Sequence, residues 1–264
     1  MTYEAQQLKD PEIIDVIFEA RGQKMVSMIH AENGAILDST MNKFEEKKVL
    51  DPKYHITGHP PRAMSLSYLI DVPILSVQVL LPAAARGSAD ARFADLRRDV
   101  STVPLPEAEG PEKVLEVSSP LPREGEQDHG AIWQGLENGM FTVLSSDHCP
   151  FLYEDSDTGK KSLVGPKYLY GRSYISNGCP GMETRLPVAL SASQPELQRC
   201  VEVTSTSPVK FYELYPRNRG ILPGESAADL TIWYPEDMEE FQLANEPLYH
   251  HVNHTPYEGR TINQ

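Results

Sequence analysis

The chain has 264 residues, 40% of them hydrophobic and 23% charged, a composition that supports a buried core in one large domain or two small ones. Its formal net charge of −14 leaves no basic surface to offset repulsion, which excludes nucleic acid and an anionic membrane surface as expected partners. No apolar run reaches the roughly 18 residues of a membrane helix, MTYEAQQLKD lacks a signal-peptide stretch, and three widely spaced cysteines (Cys149, Cys179, Cys200) fit reduced thiols, so a cytoplasmic location is expected.

A helical pattern followed by a short apolar run occurs three times. The first helix is expected to start at an Asp10 N-cap with Pro11 at its first position. Ile13, Ile17 and Arg21 then share a face, with Ile14 and Phe18 beside it, and Gly22 is expected to close the helix in a left-handed turn. Met25–Ile29 reads as a buried strand running into His30-Ala-Glu-Asn33. The second unit is a helical stretch near 62–70 with a strand over Pro73–Val79. The third is a helix over Gln127–Asn138, closed by Gly139, then Phe141–Leu144 and Ser145-Ser-Asp-His-Cys-Pro150. Helices alternating with apolar strands predict an α/β fold with a parallel sheet, and polar residues just past successive strands are how a (β/α) barrel builds a site. Residues 81–116 show neither period and are expected to form a loop with one short helix. After about residue 216 the chain becomes turn-rich and leads into a strand at Thr231–Tyr234, ended by Pro235, which predicts a small appended β element.

Two strand-end residues stand out chemically. Imidazole is a common zinc ligand, and a strand end fixes its direction, so His30 is a candidate ligand; taken alone, it reads more readily as a histidine hydrogen-bonded at a loop start. Asp147 follows another apolar strand, where a carboxylate could hold a metal and take a proton from water, or simply cap the next turn. His148 and Cys149 are also ligand types, but adjacent side chains diverge, so one site is not expected to use all three. The loop Asn177-Gly-Cys-Pro-Gly-Met-Glu-Thr-Arg185 could hydrogen-bond a planar amide or be a plain surface loop. His250-His-Val-Asn-His254 is expected to be a solvated or interface segment, and Phe211, Tyr212 and Tyr215 are expected in the core.

These segments together resemble the dihydropyrimidinase, or D-hydantoinase, family of the amidohydrolase superfamily. The resemblance rests on Asp10–Arg21, Met28-Ile-His-Ala-Glu-Asn33, Pro52-Lys-Tyr-His55, Asp71-Val-Pro-Ile-Leu75, Ser146-Asp-His-Cys-Pro-Phe151, Asn177–Pro187, Thr204–Lys210 and Tyr215-Pro216. Gly220–Leu230 and His250–Gly259 complete the set, in the family's order. It implies the C-terminal portion of a (β/α)8 TIM-type barrel over residues 1–215 and a β-sandwich remnant and tail over 216–264. It also implies a homo-oligomer, two zinc ions as cofactor, and metal-activated water that opens the ring of a small cyclic amide, as in pyrimidine catabolism. Within it His30 matches a metal-ligating histidine, Asp147 the metal-ligating aspartate that serves as general base, and Ser119 and Asn177 positions that hold the ring amides.

The departures bear on activity. The family's His-x-His pair, bridging lysine and oxyanion-stabilising tyrosine belong to barrel strands that would precede residue 1. Gln78, in Val77-Gln-Val79, stands where the family has a ligand histidine, and an amide oxygen is a poorer zinc ligand. The expectation is a dihydropyrimidinase-like hydrolase, truncated and inactive alone, whose His30 and Asp147 point from neighbouring strand tips into one pocket. The alternative is a non-enzymatic oligomerising scaffold that has lost its metals.

Overall fold

The computed structural model describes residues 8–23, 25, 27–30, 33–49, 54, 74–77, 97–100, 125–146, 148–157, 159–160, 180–192, 196–212, 214, 229–234, 238–240, 249 and 251–263. Helix α1 (Asp10–Gly22) forms for ordinary reasons. Pro11 lies in the first turn, where its missing N–H costs no hydrogen bond, with Asp10 and Glu12 at the positive end of the helix dipole and Arg21 at the negative end. The cap is Lys9 rather than Asp10, because Glu12 reaches back: its Oε2 accepts the Lys9 backbone N–H at 2.8 Å. Gly22 is the last helical residue, and Gln23, at φ −87°, ends the helix without a left-handed turn. Of the expected face only Ile17 is fully buried; Ile14 and Phe18 are exposed.

Strand β1 (Ser27–His30) is followed by a helix absent from the sequence expectations, α2 (Gly34–Glu46). Asn33 starts it, its Oδ1 accepting the Ile36 N–H at 3.1 Å, and Leu37 and Met41, one turn apart, are its buried stripe. The helix expected near 62–70 lies outside the described residues. Strand β2 (Ile74–Val77) falls within the expected Pro73–Val79 run, and β3 (Arg97–Val100) corrects the reading of 81–116 as loop and short helix. Helix α3 (Gly125–Glu137) and β4 (Val143–Leu144) match the third unit, and Gly139, at φ +83°, makes the left-handed turn between them that a side chain would resist.

The four strands form one parallel sheet in the order β1-β2-β3-β4. Ser27 pairs with Ile74 and His30 with Val77; Leu75 pairs with Arg97; Asp99 pairs with Val143 and Val100 with Leu144. A sequential, all-parallel order, with α2 between β1 and β2 and α3 between β3 and β4, is in keeping with the βα winding the sequence predicts.

After β4 come α4 (Arg185–Ser191), α5 (Leu197–Val201), a π-helical turn (Glu202–Thr206) and α6 (Ser207–Phe211). The last three run on as one rod. Pro208 would block a regular helix, lacking an N–H and crowding the preceding turn; the wider π turn just before it accommodates the ring, with the Ser207 N–H reaching the Glu202 carbonyl. The core gathers here: Ile132 and Leu136 of α3, Phe141, Val143 and Leu144, Val188 of α4 and Val203 of the π turn are all at most 3% exposed. Each such side chain contributes roughly 1.5–3 kcal/mol on leaving water. Phe211 is buried as expected, whereas Tyr212 is 46% exposed, and Tyr215 lies outside the described residues.

The β element appears as an antiparallel pair, β5 (Met238–Glu240) and β6 (Thr261–Asn263). The expected strand Thr231–Tyr234 has no ladder partner among the described residues, and Leu230, Ile232 and Tyr234 are exposed. Strand β6 packs on α4 instead, placing Ile262 in the core.

Candidate functional site

Because all four strands run in parallel, their C-terminal ends share one edge, where an α/β fold assembles a site. His30 is the last residue of β1 and pairs level with Val77, the last of β2. In the sequence Gln78 follows Val77 directly, and Asp147 comes three residues after Leu144, the last of β4. Gln78, Asp147, Ser119 and Asn177 themselves lie outside the described residues. One expectation is corrected: β1 and β4 are not neighbours but, among the described strands, stand at opposite ends of the order, with β2 and β3 between them. Three interstrand spacings separate their tips, about 14 Å along a flat sheet. The unrecognised β3 is part of the reason.

The residues flanking Asp147 are packed against a second loop. Ser146 is buried at 8% exposure and His148 is half-buried. The backbone N–H of Gly181 donates to His148 Nδ1 at 3.2 Å, across 33 residues of sequence. A Cβ added to Gly181 would lie 3.1 Å from Ser146 Cβ, so glycine permits the close approach. Gly181 is four residues after Asn177, and the Asn177–Arg185 segment is therefore not a plain surface loop over its described part: Pro180, Gly181 and Thr184 are buried. The loop beyond β4 and the loop leading into α4 are docked on one another.

A third segment closes over both. Tyr153 donates its backbone N–H to Asn253 Oδ1 at 2.7 Å, and the rings of Tyr153 and His254 lie 5.5 Å apart, tilted. Glu183 Oε2 accepts the Tyr249 N–H at 2.8 Å. The expectation of a solvated or interface segment at His250–His254 is corrected: Val252, His254, Thr255 and Tyr257 are all at most 7% exposed, and only His251 of the described histidines there is exposed. His254 is a packed residue against Tyr153. Sequence reasoning missed Asn253, Glu183 and the service of His148 as an acceptor, since each has its partner 33 to 100 residues away.

Among the described residues no group of three His, Cys, Asp or Glu side chains is placed to hold a metal ion. Neither described cysteine is in a disulfide: Cys149 is half-buried and Cys200 is buried, its thiol pushed above the ordinary range by loss of solvent. No helix among the described residues is long and apolar enough to cross a membrane.

No protein-family model matches the chain. It is 28% identical over 258 residues to a D-hydantoinase of Ralstonia pickettii, covering 89% of this chain and 53% of that protein. It is also 28% identical over 280 residues to a D-hydantoinase of Rhizobium radiobacter, covering 97% of this chain and 57% of that one. Its fold superposes on the crystal structure of dihydropyrimidinase from Brevibacillus agri with a TM-score of 0.85 at 24% identity, over 98% of this chain and 58% of that one. The L-hydantoinase (dihydropyrimidinase) of Arthrobacter aurescens gives a TM-score of 0.78 at 19% identity. The chain thus spans little more than half the length of the relatives it matches. By sequence the chain is similar to the D-hydantoinases and by fold to dihydropyrimidinase, in each case to the C-terminal part of those proteins.

Proposed function

We propose that this chain carries the C-terminal portion of a (β/α)8 amidohydrolase barrel over residues 1–215 and a β-sandwich remnant over 216–264, and that its site residues serve ring opening of cyclic amides. The reading is supported above all by the docking of the loop that flanks Asp147 onto the loop that follows Asn177, at the edge where β1 ends in His30. An amide ring resists water because its nitrogen donates into the carbonyl. Opening it takes a base to draw a proton from water and an acid to return one to the departing nitrogen. Asp147 is assigned both transfers, and Ser119 and Asn177 are assigned to hold the planar ring amides, which favours dihydropyrimidines and hydantoins over acyclic ureides.

The zinc pair of the resembling family does not fit the residues at hand. His30 and Asp147 are two candidate ligands, and Gln78 offers a neutral amide oxygen at a third position, which falls short of the four donors that close one zinc site. On this reading the residues of this chain alone bind the ring without turning it over. The test is to incubate the purified chain with hydantoin and dihydrouracil, with and without zinc, and to follow ring-opened product by mass spectrometry and ligand binding by NMR. Selective binding of the cyclic amides near residues 146–148 and 180–181, without product, is expected. Product above the level of an Asp147→Asn variant overturns the assignment of inactivity, and equal binding of an acyclic ureide overturns the substrate class.

A second reading, an oligomerising scaffold without metals, is favoured by Gln78. A metal-free, stable homo-oligomer that ignores both ring compounds is its expected signature.

A further inference from the structure

We infer that His148 is a positioning residue, which sets the spacing between the Asp147 loop and the Asn177 loop by accepting the Gly181 N–H. The inference rests on the reading of Asp147 and Asn177 as site residues. Three observations converge on Gly181. Its backbone N–H donates to His148 Nδ1, with the two nitrogens 3.2 Å apart. Its missing side chain is what lets Ser146 come within contact distance. Its own carbonyl accepts the Arg185 N–H at 2.9 Å, which ties it to the start of α4. Ser146 and His148 are the two sequence neighbours of Asp147, so the residues on both sides of the proposed proton carrier meet the same glycine.

The geometry also fixes what His148 does not do there. An imidazole that accepts at Nδ1 carries its proton on Nε2, and the Nδ1 lone pair is committed to the peptide N–H. At that nitrogen His148 is a spacer between loops and not a metal ligand. Its setting is half-buried, where a hydrogen bond competes less with water than at an exposed site. A displacement of the two loops by even an ångström would misplace a ring held by one and a proton handled by the other.

The test uses the full chain and two variants. His148→Leu removes the acceptor and approximates the volume, whereas His148→Asn offers an amide oxygen near the position of Nδ1. Hydrogen exchange at the Gly181 amide is expected to speed up about tenfold in His148→Leu and to return near the wild-type rate in His148→Asn. Hydantoin affinity is expected to follow the same order, falling by about tenfold or more in His148→Leu and recovering in His148→Asn. Should the leucine variant not fold, nitrogen NMR of the wild-type chain still decides: His148 must show an unprotonated Nδ1 coupled to the Gly181 amide. Unchanged Gly181 exchange in His148→Leu, or a protonated Nδ1, overturns the inference. If exchange responds but no variant, wild type included, binds hydantoin, the latch stands and the substrate reading fails.

Discussion

Arg199 donates from Nη2 to the carbonyl oxygen of Phe141 at 2.7 Å, and from Nε to the carbonyl of Leu136 at 2.6 Å. One guanidinium thus ties the end of α3 to the start of the β4 strand, satisfying two carbonyls that flank the Gly139 turn and placing positive charge at the helix's negative end. It also pairs with Glu202 at 2.6 Å, but that carboxylate is half exposed. The two bonds to backbone matter more than the ion pair, since exposed pairs contribute at most about 1 kcal/mol. Arg199→Ala is expected to lower stability by about 2–3 kcal/mol, and Glu202→Ala by about 0.5 kcal/mol or less, in urea unfolding. Equal losses would show that the ion pair, not the carbonyl clamp, is the contribution.

Gly135 and Phe141 form a second pair on the same turn. A methyl group at 135 would run into the Phe141 ring. Alanine in place of glycine contributes about 1 kcal/mol of helix propensity, but overpacking a filled core costs about 1–3 kcal/mol. Gly135→Ala is therefore expected to destabilise on balance, and Phe141→Leu in the same chain to relieve part of the clash. Additive losses in the double-mutant cycle would contradict this.

The two described thiols differ in setting. Cys200 is 1% exposed, with its Sγ 3.8 Å from the Ala189 carbonyl, and burial raises its pKa. A raised folded pKa adds stability that is present below the unfolded thiol's pKa and lost as pH climbs through the folded value. A thiol reagent at mildly alkaline pH is expected to label Cys149 in the native chain and Cys200 only after denaturant is added. Labelling of Cys200 at a rate independent of denaturant would contradict its burial.

The tail separates packing from metal chemistry. Ile262 is 3% exposed, and Ile262→Ala is expected to cost about 2–5 kcal/mol. His251 is exposed and sits at φ +59°, a conformation that L side chains resist. His251→Gly is expected to raise stability by up to about 1 kcal/mol, measured as a shift in thermal midpoint. A loss on that substitution would mean that the imidazole is engaged after all.

Periodicity made α1, α3, β1, β2 and β4 readable, whereas α2 and the helices after β4 were not among the expectations. Helix α3 and β4 carry apolar side chains at the spacing of their own elements, and Gly139 marks the join. Helix α2 is harder, because Asn33-Gly34 reads first as a turn, and the Asn33 cap is recognisable only once Leu37 and Met41 are known to be buried. Strand β3 violates the expectation for a strand inside a parallel sheet, where apolar runs dominate: it reads Arg-Arg-Asp-Val. Its place is set by Leu75 and Val143 on either side, which no local pattern encodes. The same holds at the candidate site. His30 is legible as a strand end, but the meeting of His148 with Gly181 depends on how two distant loops fold back, and neither residue type announces a partner.

The hydrogen bond from Tyr153 to Asn253 spans 100 residues, and it has a consequence for synthesis. At ribosomal speeds of about 5–20 residues per second, the segment beyond β4 must wait roughly 5–20 s for the chain that covers it. During that interval Tyr153 lacks its Asn253 and His254 partners, and the segment beyond Asp147 gains its cover only when Val252, His254 and Tyr257 emerge from the ribosome. The sheet's strands are all made before then, so the scaffold precedes the site in time, and a nascent chain stalled before residue 249 would hold the strands without the cover that fixes their loops.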